Sequence, residues 1–377
     1  MAGLTKPETM GGHSAPGVES RLRQIMASRV PGLSVAVVRA DGVRWRCGLG
    51  LADLATRASA TSDTVYLWFS MTKIVTATAV VQLADRGRLA LDDPVAHHYP
   101  RFASLRPVDR AARVTIRHLL SHRGGLANPI PVRWVHPADQ PAPDPTALVD
   151  GLLTRHPKFS FEPGAKAKYS NLGFLVLGQV IEATTGRRFQ DHVREAILEP
   201  LGMRRTGFTY PADTAAVATG YQRRRSLMTP LLRRLLPAGI IGPNQDGYLS
   251  FRRFYVDGPA YGGLVGPVED AARFLQLHLR DGELDGTRIL AAQSALSMRQ
   301  IHTQGRRFDL GLGWFRPAKR RATTPAFVQH RGDGGAFATD MRIYPEAALG
   351  IVMMGNATSY DRDQIASLLA ERWWHER

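Results

Sequence analysis

The chain is nearly devoid of cysteine. Cys47 stands alone among 377 residues, so no internal disulfide can form and no oxidising compartment is required. Lysine is almost as scarce: six of the 49 basic residues are lysine, and the rest are arginine. No apolar run approaches the roughly 20 residues that a membrane-spanning helix needs. The N-terminal stretch MAGLTKPETMGGHSAPG is polar and rich in glycine and proline, without the apolar segment of a secretory signal. These absences point to a soluble, cytoplasmic protein. His97-His98 and His122 have no partners at metal-ligand spacing, so no metal is expected, and no cofactor. There is no zinc-finger spacing and no aromatic-plus-basic signature of an RNA-binding sheet. The net charge of +16 therefore reads as an arginine-rich surface and not as a nucleic-acid footprint. One segment differs. Residues 223–234, RRRSLMTPLLRR, are basic and apolar together, suited either to a solvated loop and short helix or to a flap making weak contact with lipid or a hydrophobic substrate.

What is present supports a large core. Apolar residues make up 44% and charged residues 22% of the chain, enough for one domain or two interleaved ones. Gly32–Asp53 alternates Val35, Val37 and Val43, Trp45 about Asp41-Gly42, which predicts a hairpin. From Ser70 to Arg86 the pattern is helical and apolar nearly all round, ending at Gly87, so this helix should be buried. Asn171–Thr185, with Gly186 beyond it, and Phe189–Leu198 predict two more helices. Ala326–His330, Thr339–Tyr344 and Gly350–Met354 predict consecutive strands, followed by a closing helix over Tyr360–Trp374. Strands at both ends with helices between predict an α/β (α+β) fold, an antiparallel sheet flanked by helices and built from both chain ends. The expected organisation is a flexible N-terminus over 1–17, a sheet domain over 18–95 and 260–377, and a mainly helical insert over 96–259. Within the insert, residues 127–147 and 211–262 read as lid-like loops.

Three clusters carry candidate chemistry. In FSMTKIV, Ser70 and Lys73 are three residues apart at a helix start and share one face. Backbone N–H groups there lack partners and favour developing negative charge. An apolar setting lowers a lysine pKa, and a neutral amine can take a serine proton. The plainer reading is a capping serine with a snorkelling lysine. In AKYSNLG, Tyr169 and Asn171 flank a serine before a helix. A tyrosine beside an ammonium has a lowered pKa and can act as a base, while an asparagine can orient the lysine and bind a substrate carbonyl. In HRGDGGAF, His330, Arg331, Gly332 and Asp333 end a predicted strand, and the glycines allow close approach to the backbone. Packing at a helix start and a glycine-rich turn are the plainer readings of these two.

In this order and at this spacing, SMTK, YSN and HRG resemble the three motifs of serine β-lactamases and penicillin-binding proteins. Tyr-x-Asn points to the class C β-lactamase-like branch, with its family VIII carboxylesterases and D-aminopeptidases. LDDPV, HLLSHRGGL, PLGM and GLGW echo it elsewhere, over about residues 18 to 375. The resemblance implies an α/β domain plus a helical domain with the site between them. It implies Ser70 as the acyl-enzyme nucleophile, Lys73 as its base partner and Tyr169 as base or acid for the leaving group and water. Asn171 would orient the substrate, and the N–H groups of Ser70 and Asp333 would form the oxyanion hole. His330 stands where the β-lactamases carry lysine, and Arg331 where they carry a small hydroxyl residue, so the anchor for a β-lactam carboxylate is altered. Arg331 is a candidate for the missing charge. Asp333 places a carboxylate where related sequences often have a small residue, which opposes an oxyanion unless it turns away.

A serine carboxylesterase acting on small esters is the leading expectation. The alternatives are a β-lactamase, D-amino-acid peptidase or amidase, an acyltransferase, and a catalytically idle binding scaffold, the last resting on Asp333 alone. Trp314 is expected to line the cleft or pack in the core.

Overall fold

In the computed structural model, residues 16–27, 29–226, 228–318 and 325–375 are described. The N-terminal segment expected to be flexible lies outside them, except that Pro16 and Gly17 open the helix Pro16–Met26. A seven-stranded antiparallel sheet runs in the order Phe308–Leu310, Phe315–Pro317, Val328–Asp333, Ala338–Tyr344, Leu349–Gly355, Gly32–Arg39, Gly42–Gly50. The N-terminal hairpin thus docks on the last strand of the chain, with Val35 opposite Met353 and Val37 opposite Ile351. That pairing joins the two chain ends, as the strand pattern predicts.

Alternation along the central strands serves two cores. Val35, Val37, Ile351 and Met353 face a layer formed by Pro16–Met26 and Arg362–Trp373, through Leu22, Ile365, Leu369 and Trp373. Ala36, Val38, Val352 and Met354 face the other way, onto the helix Val268–Leu279 and the larger core. The candidate site lies on this second side, where Trp68, Phe69 and Met71 belong to the larger core. The hairpin turn falls at Ala40-Asp41, one residue before the expected place, and a bulge between the Val37 and Val38 pairings absorbs the difference.

The Ser70–Arg86 segment splits into a one-turn 3-10 helix, Phe69–Met71, and the α-helix Thr72–Asp85, which is buried nearly all round. Asn171–Thr185 forms as predicted, with Ser170 as its N-cap and Gly186 at φ 69° closing it. Phe189–Leu198 is helical but widens into a π-helix from Arg194. The segments read as loops carry regular structure. Val135–Pro137 pairs with Phe254–Val256. Gly220–Arg223, Ile241–Gln245 and Tyr248–Phe251 form a three-stranded sheet, and Met228–Leu235 is a helix. Residues 96–259 thus carry these short strands beside their helices. Among the described residues, no helix is long and apolar enough to cross a membrane. Trp314 is fully buried against His278 and belongs to the core.

Candidate active site

Phe69, the residue before the candidate nucleophile, has φ 48°, a left-handed backbone that costs an L-residue on the order of 1–2 kcal/mol. Packing holds it there. Its ring sits 6.2 Å from Phe254 and 6.4 Å from Phe337 by centroid, and fills the space beside Gly334. The sharp turn lifts Ser70 into the cleft at the opening of the buried helix. Met71 N–H is bonded back to Trp68 O at 3.3 Å, while Ser70 N–H belongs to the first turn, where no intrahelical acceptor exists.

Lys73 is fully buried. Its Nζ donates to Ser70 Oγ at 2.9 Å and to the backbone carbonyl of Tyr261 at 2.7 Å. No carboxylate among the described residues pairs with it, and burial drives the amine well below the usual lysine range. The rings of Tyr169, Phe174 and Tyr261 surround it, with centroids 5.1, 5.7 and 5.0 Å from Nζ. Asn171 was expected to orient this lysine, and the structure assigns that contact to the Tyr261 carbonyl instead.

Tyr169 lies beside Ser70, whose hydroxyl acts to lower the phenol pKa. Its phenol is pushed up, not down as a neighbouring ammonium predicts. Burial is the larger influence, outweighing the effect of Ser70, and the Asp333 charge adds to it. The resting tyrosine is therefore a protonated phenol. His122 supports it from behind, with ring centroids 4.5 Å apart at 31°. The same histidine accepts the Ser170 N–H at Nδ1, 3.2 Å away, and burial pushes its pKa down to about 3. Asn171 is buried next to the pair. Its N–H donates to Asn128 Oδ1 at 2.9 Å, while its own Oδ1 has no partner among the described residues.

The strand Val328–Asp333 closes the site. His330 is fully buried, its ring centroid 6.0 Å from that of Tyr169. Its Nδ1 lies 3.0 Å from the Arg331 carbonyl, an acceptor only, so Nδ1 carries the proton and Nε2 a lone pair. Nε2 has no partner among the described residues. Burial holds the ring well below the usual histidine range, so it is neutral at physiological pH. Gly332 meets the nucleophile turn: a Cβ there would lie 2.0 Å from Trp68 O and 2.3 Å from Thr339 Oγ1.

Arg331 and Asp333 leave the site. On a strand, successive side chains alternate, so His330 and Gly332 face the cleft while Arg331 and Asp333 face the C-terminal helix. Arg331 bonds Asp340 Oδ2 at 3.2 Å and also Asp363. Asp333 accepts from Arg362 at 2.7 Å. Arg331 thus cannot serve as the substituted charge, and the Asp333 carboxylate, turned away, removes the ground for an idle scaffold. Only its backbone remains at the cleft. Gly334 N–H bonds Phe337 O at 3.2 Å, which makes Gly332 and Gly334 the hydrogen-bonded positions of this ladder and turns Asp333 N–H away from the neighbouring strand.

The sequence profile of the Beta-lactamase family matches residues 18–371. The chain belongs to the Beta-lactamase family. It is 29% identical to penicillin-binding protein 4 of Amycolatopsis lactamdurans, over 91% of this chain and 86% of that one. It is 28% identical to esterase EstB of Burkholderia gladioli, over 88% and 87%. The D-amino acid amidase of Ochrobactrum anthropi SV3, solved with L-phenylalanine, superposes with a TM-score of 0.77 at 23% identity, covering 94% of this chain and 97% of that one. The fold is accordingly the serine hydrolase fold of the Beta-lactamase family. This family member brings Ser70, Lys73, Tyr169, Asn171, His330 and Gly332 to one cleft. Sequence reasoning missed Tyr261, which acts through a carbonyl that leaves no side-chain signal, and gave His122 only a general supporting place. Among the described residues, no group of three His, Cys, Asp or Glu side chains is placed to hold a metal ion.

Proposed function

We propose that the protein is a serine hydrolase that cleaves small carboxylic esters through an acyl-enzyme on Ser70. One observation carries the choice of ester. The third motif offers no cation to the cleft, because His330 is neutral and Arg331 is held by Asp340 and Asp363. A substrate whose recognition depends on a carboxylate has nothing there to pair with; a neutral ester needs no such partner. The apolar side chains of Leu232, Phe251 and Phe69 around Gly334-Gly335 offer a wall to an alkyl acyl group.

Neutral Lys73 takes the Ser70 hydroxyl proton as Oγ attacks the ester carbonyl. Ser70 N–H and Asp333 N–H hold the oxyanion. The C–O bond breaks as the Tyr169 phenol gives its proton to the leaving alkoxide, and the Lys73 ammonium restores that phenol. Water then attacks the acyl-enzyme, its proton passes to the Lys73–Tyr169 pair, and Ser70 Oγ recovers a proton from it. The two bases titrate as a coupled pair. Asn171, with its free Oδ1, orients the substrate.

A second reading, amide or D-amino-acid peptide hydrolysis, is favoured by the protonated Tyr169, since an amine leaving group requires that proton. An added alcohol or amine in the assay detects acyl transfer in place of hydrolysis. The test sets wild type beside Ser70→Ala on p-nitrophenyl butyrate, a D-alanine p-nitroanilide and a chromogenic cephalosporin. Ester cleavage that disappears in the variant, with slow turnover of the other two, is expected. Fast cephalosporin turnover refutes the ester choice, and ester cleavage that survives Ser70→Ala refutes the nucleophile.

A further inference from the structure

A cavity of about 610 Å³ lies apart from the Ser70 cleft and contains none of its reactive side chains. It lies between the Arg204–Pro211 segment, the start of Phe189–Leu198 and the Tyr255–Pro259 segment. Its volume falls within the range of small-molecule sites. Two features give it a chemical character. One is an aromatic wall: the rings of Tyr210 and Tyr255 lie 5.1 Å apart by centroid at 30°, and Tyr255 lies 5.7 Å from His136. The wall is fixed, because Tyr210 N–H donates to Tyr255 Oη at 3.0 Å and Tyr210 Oη donates to Phe254 O at 3.2 Å.

The other is uncompensated positive charge. Arg188, Arg194, Arg204 and Arg205 all line the cavity. Arg194 is taken by Glu195 and Glu199, and Arg205 pairs with Asp63 at 3.0 Å. Arg188 reaches Asp191 only at 3.9 Å, and Arg204 has no acidic partner among the described residues. The other carboxylate of the lining, Asp257, is engaged by His136 at 2.7 Å. Arg204 thus remains for a ligand beside a rigid pair of rings, and Arg188 is held there only by the long 3.9 Å pair with Asp191. Guanidinium groups bind carboxylates in bidentate geometry, and planar rings stack on tyrosine and arginine faces.

We propose that this cavity binds a small ring-bearing organic anion, with its acidic group on Arg204 and Arg188 and its ring against Tyr210 and Tyr255. Occupancy does not depend on the reaction at Ser70.

Titration of the full chain with 1-anilinonaphthalene-8-sulfonate, read by fluorescence and calorimetry, tests this. One dye per chain is expected. Arg204→Glu should weaken binding about tenfold or more, and the uncharged N-phenyl-1-naphthylamine should bind wild type weaker by a similar factor. Arg233→Glu, on the helix Met228–Leu235 and outside the lining, should leave the affinity unchanged. Tyr255→Leu gives a second disruption that keeps the charge and removes the ring, and it too should weaken binding. Melting curves of each variant show that the fold is kept. Dye affinity of Arg204→Glu within about twofold of wild type, or equal loss in Arg233→Glu, overturns the proposal.

Discussion

Gly332→Ala isolates the contact on which the whole site depends. The new methyl would start 2.0 Å from Trp68 O, 2.3 Å from Thr339 Oγ1 and 3.1 Å from Trp68 C, two of the three being backbone atoms. Ordinary contact begins at 3.4 Å, so the strand and the nucleophile turn must separate by about 1.4 Å. The Thr339 hydroxyl, which donates to Trp68 O at 3.0 Å, loses its bond in the process. Overpacking of this kind costs roughly 1–3 kcal/mol of stability. Its effect on catalysis is larger, because Asp333 N–H is the next donor along the strand and moves with it. A displacement of about 1 Å costs on the order of a hundredfold in rate, and an oxyanion donor is worth about 10² to 10³ in kcat. The assay is p-nitrophenyl butyrate turnover with urea unfolding in parallel. Gly335→Ala is the control: its Cβ would meet Phe251 and Leu232 at 3.4 and 3.5 Å, which requires no movement. The expected result is a kcat reduced at least about a hundredfold in Gly332→Ala and near wild type in Gly335→Ala. Turnover within about threefold of wild type in Gly332→Ala, with stability unchanged, would refute both the close approach and the oxyanion role of the strand.

Three further outcomes follow from the same geometry. Tyr169→Phe removes a proton donor without altering ring packing on His122, and should lower kcat for the ester by about 10² to 10³ with little change in melting temperature; an unchanged kcat assigns proton transfer to Lys73 alone. Arg331→Ala should cost about 1–2 kcal/mol in urea unfolding, since it strips one donor from the buried Asp340, and should leave kcat/KM within about threefold. Loss of affinity for carboxylate-bearing substrates at unchanged stability contradicts the direction assigned to Arg331. Acid should destabilise the protein through its buried neutral histidines. Burial holds His278 at about 3, while an unfolded histidine protonates near 6.5. The unfolded chain therefore binds more protons between those values, and stability falls as pH drops through that window. Each such histidine contributes a slope of about 1.4 kcal/mol per pH unit, which His278→Met should remove; an unaltered slope between pH 6 and 4.5 refutes the neutral assignment.

Much of the fold was legible because local signals agreed with the final packing. Asn171–Thr185 carries a helical period, a serine cap and a closing Gly186, and all three appear in place. The C-terminal strands are apolar and bounded by turns, and each lies within two residues of its expected limits at the N-terminal side. The sheet within 211–262 was missed although a signal existed. Asp246-Gly247 lies between paired Gln245 and Tyr248, with φ 46° and 82°, the two-residue hairpin turn that Asp-Gly favours. The density of proline, glycine and arginine around it obscured the two short strands.

The site was legible in its residue types and less so in its directions. Period-two alternation alone separates His330 and Gly332 from Arg331 and Asp333, so the loss of both charged residues from the cleft was readable in the strand. Their destinations were not, because Arg362 and Asp363 come from the closing helix, whose docking is a tertiary event. The φ of 48° at Phe69 has no local cause either: an aromatic residue gives no sign of left-handed backbone, and only Phe254, Phe337 and the absence of a side chain at Gly334 hold it there. The protonation of Tyr169 follows the same logic. Its neighbours in sequence are Lys168 and Ser170, which suggest a wet and charged setting, whereas His122 and Lys73 enclose it in the folded protein and burial becomes the larger influence. Lys73 is itself desolvated, so it offers no permanent positive charge to lower the phenol. Burial thus favours the proton on Tyr169 and disfavours it on Lys73, which is the direction the proposed acylation requires.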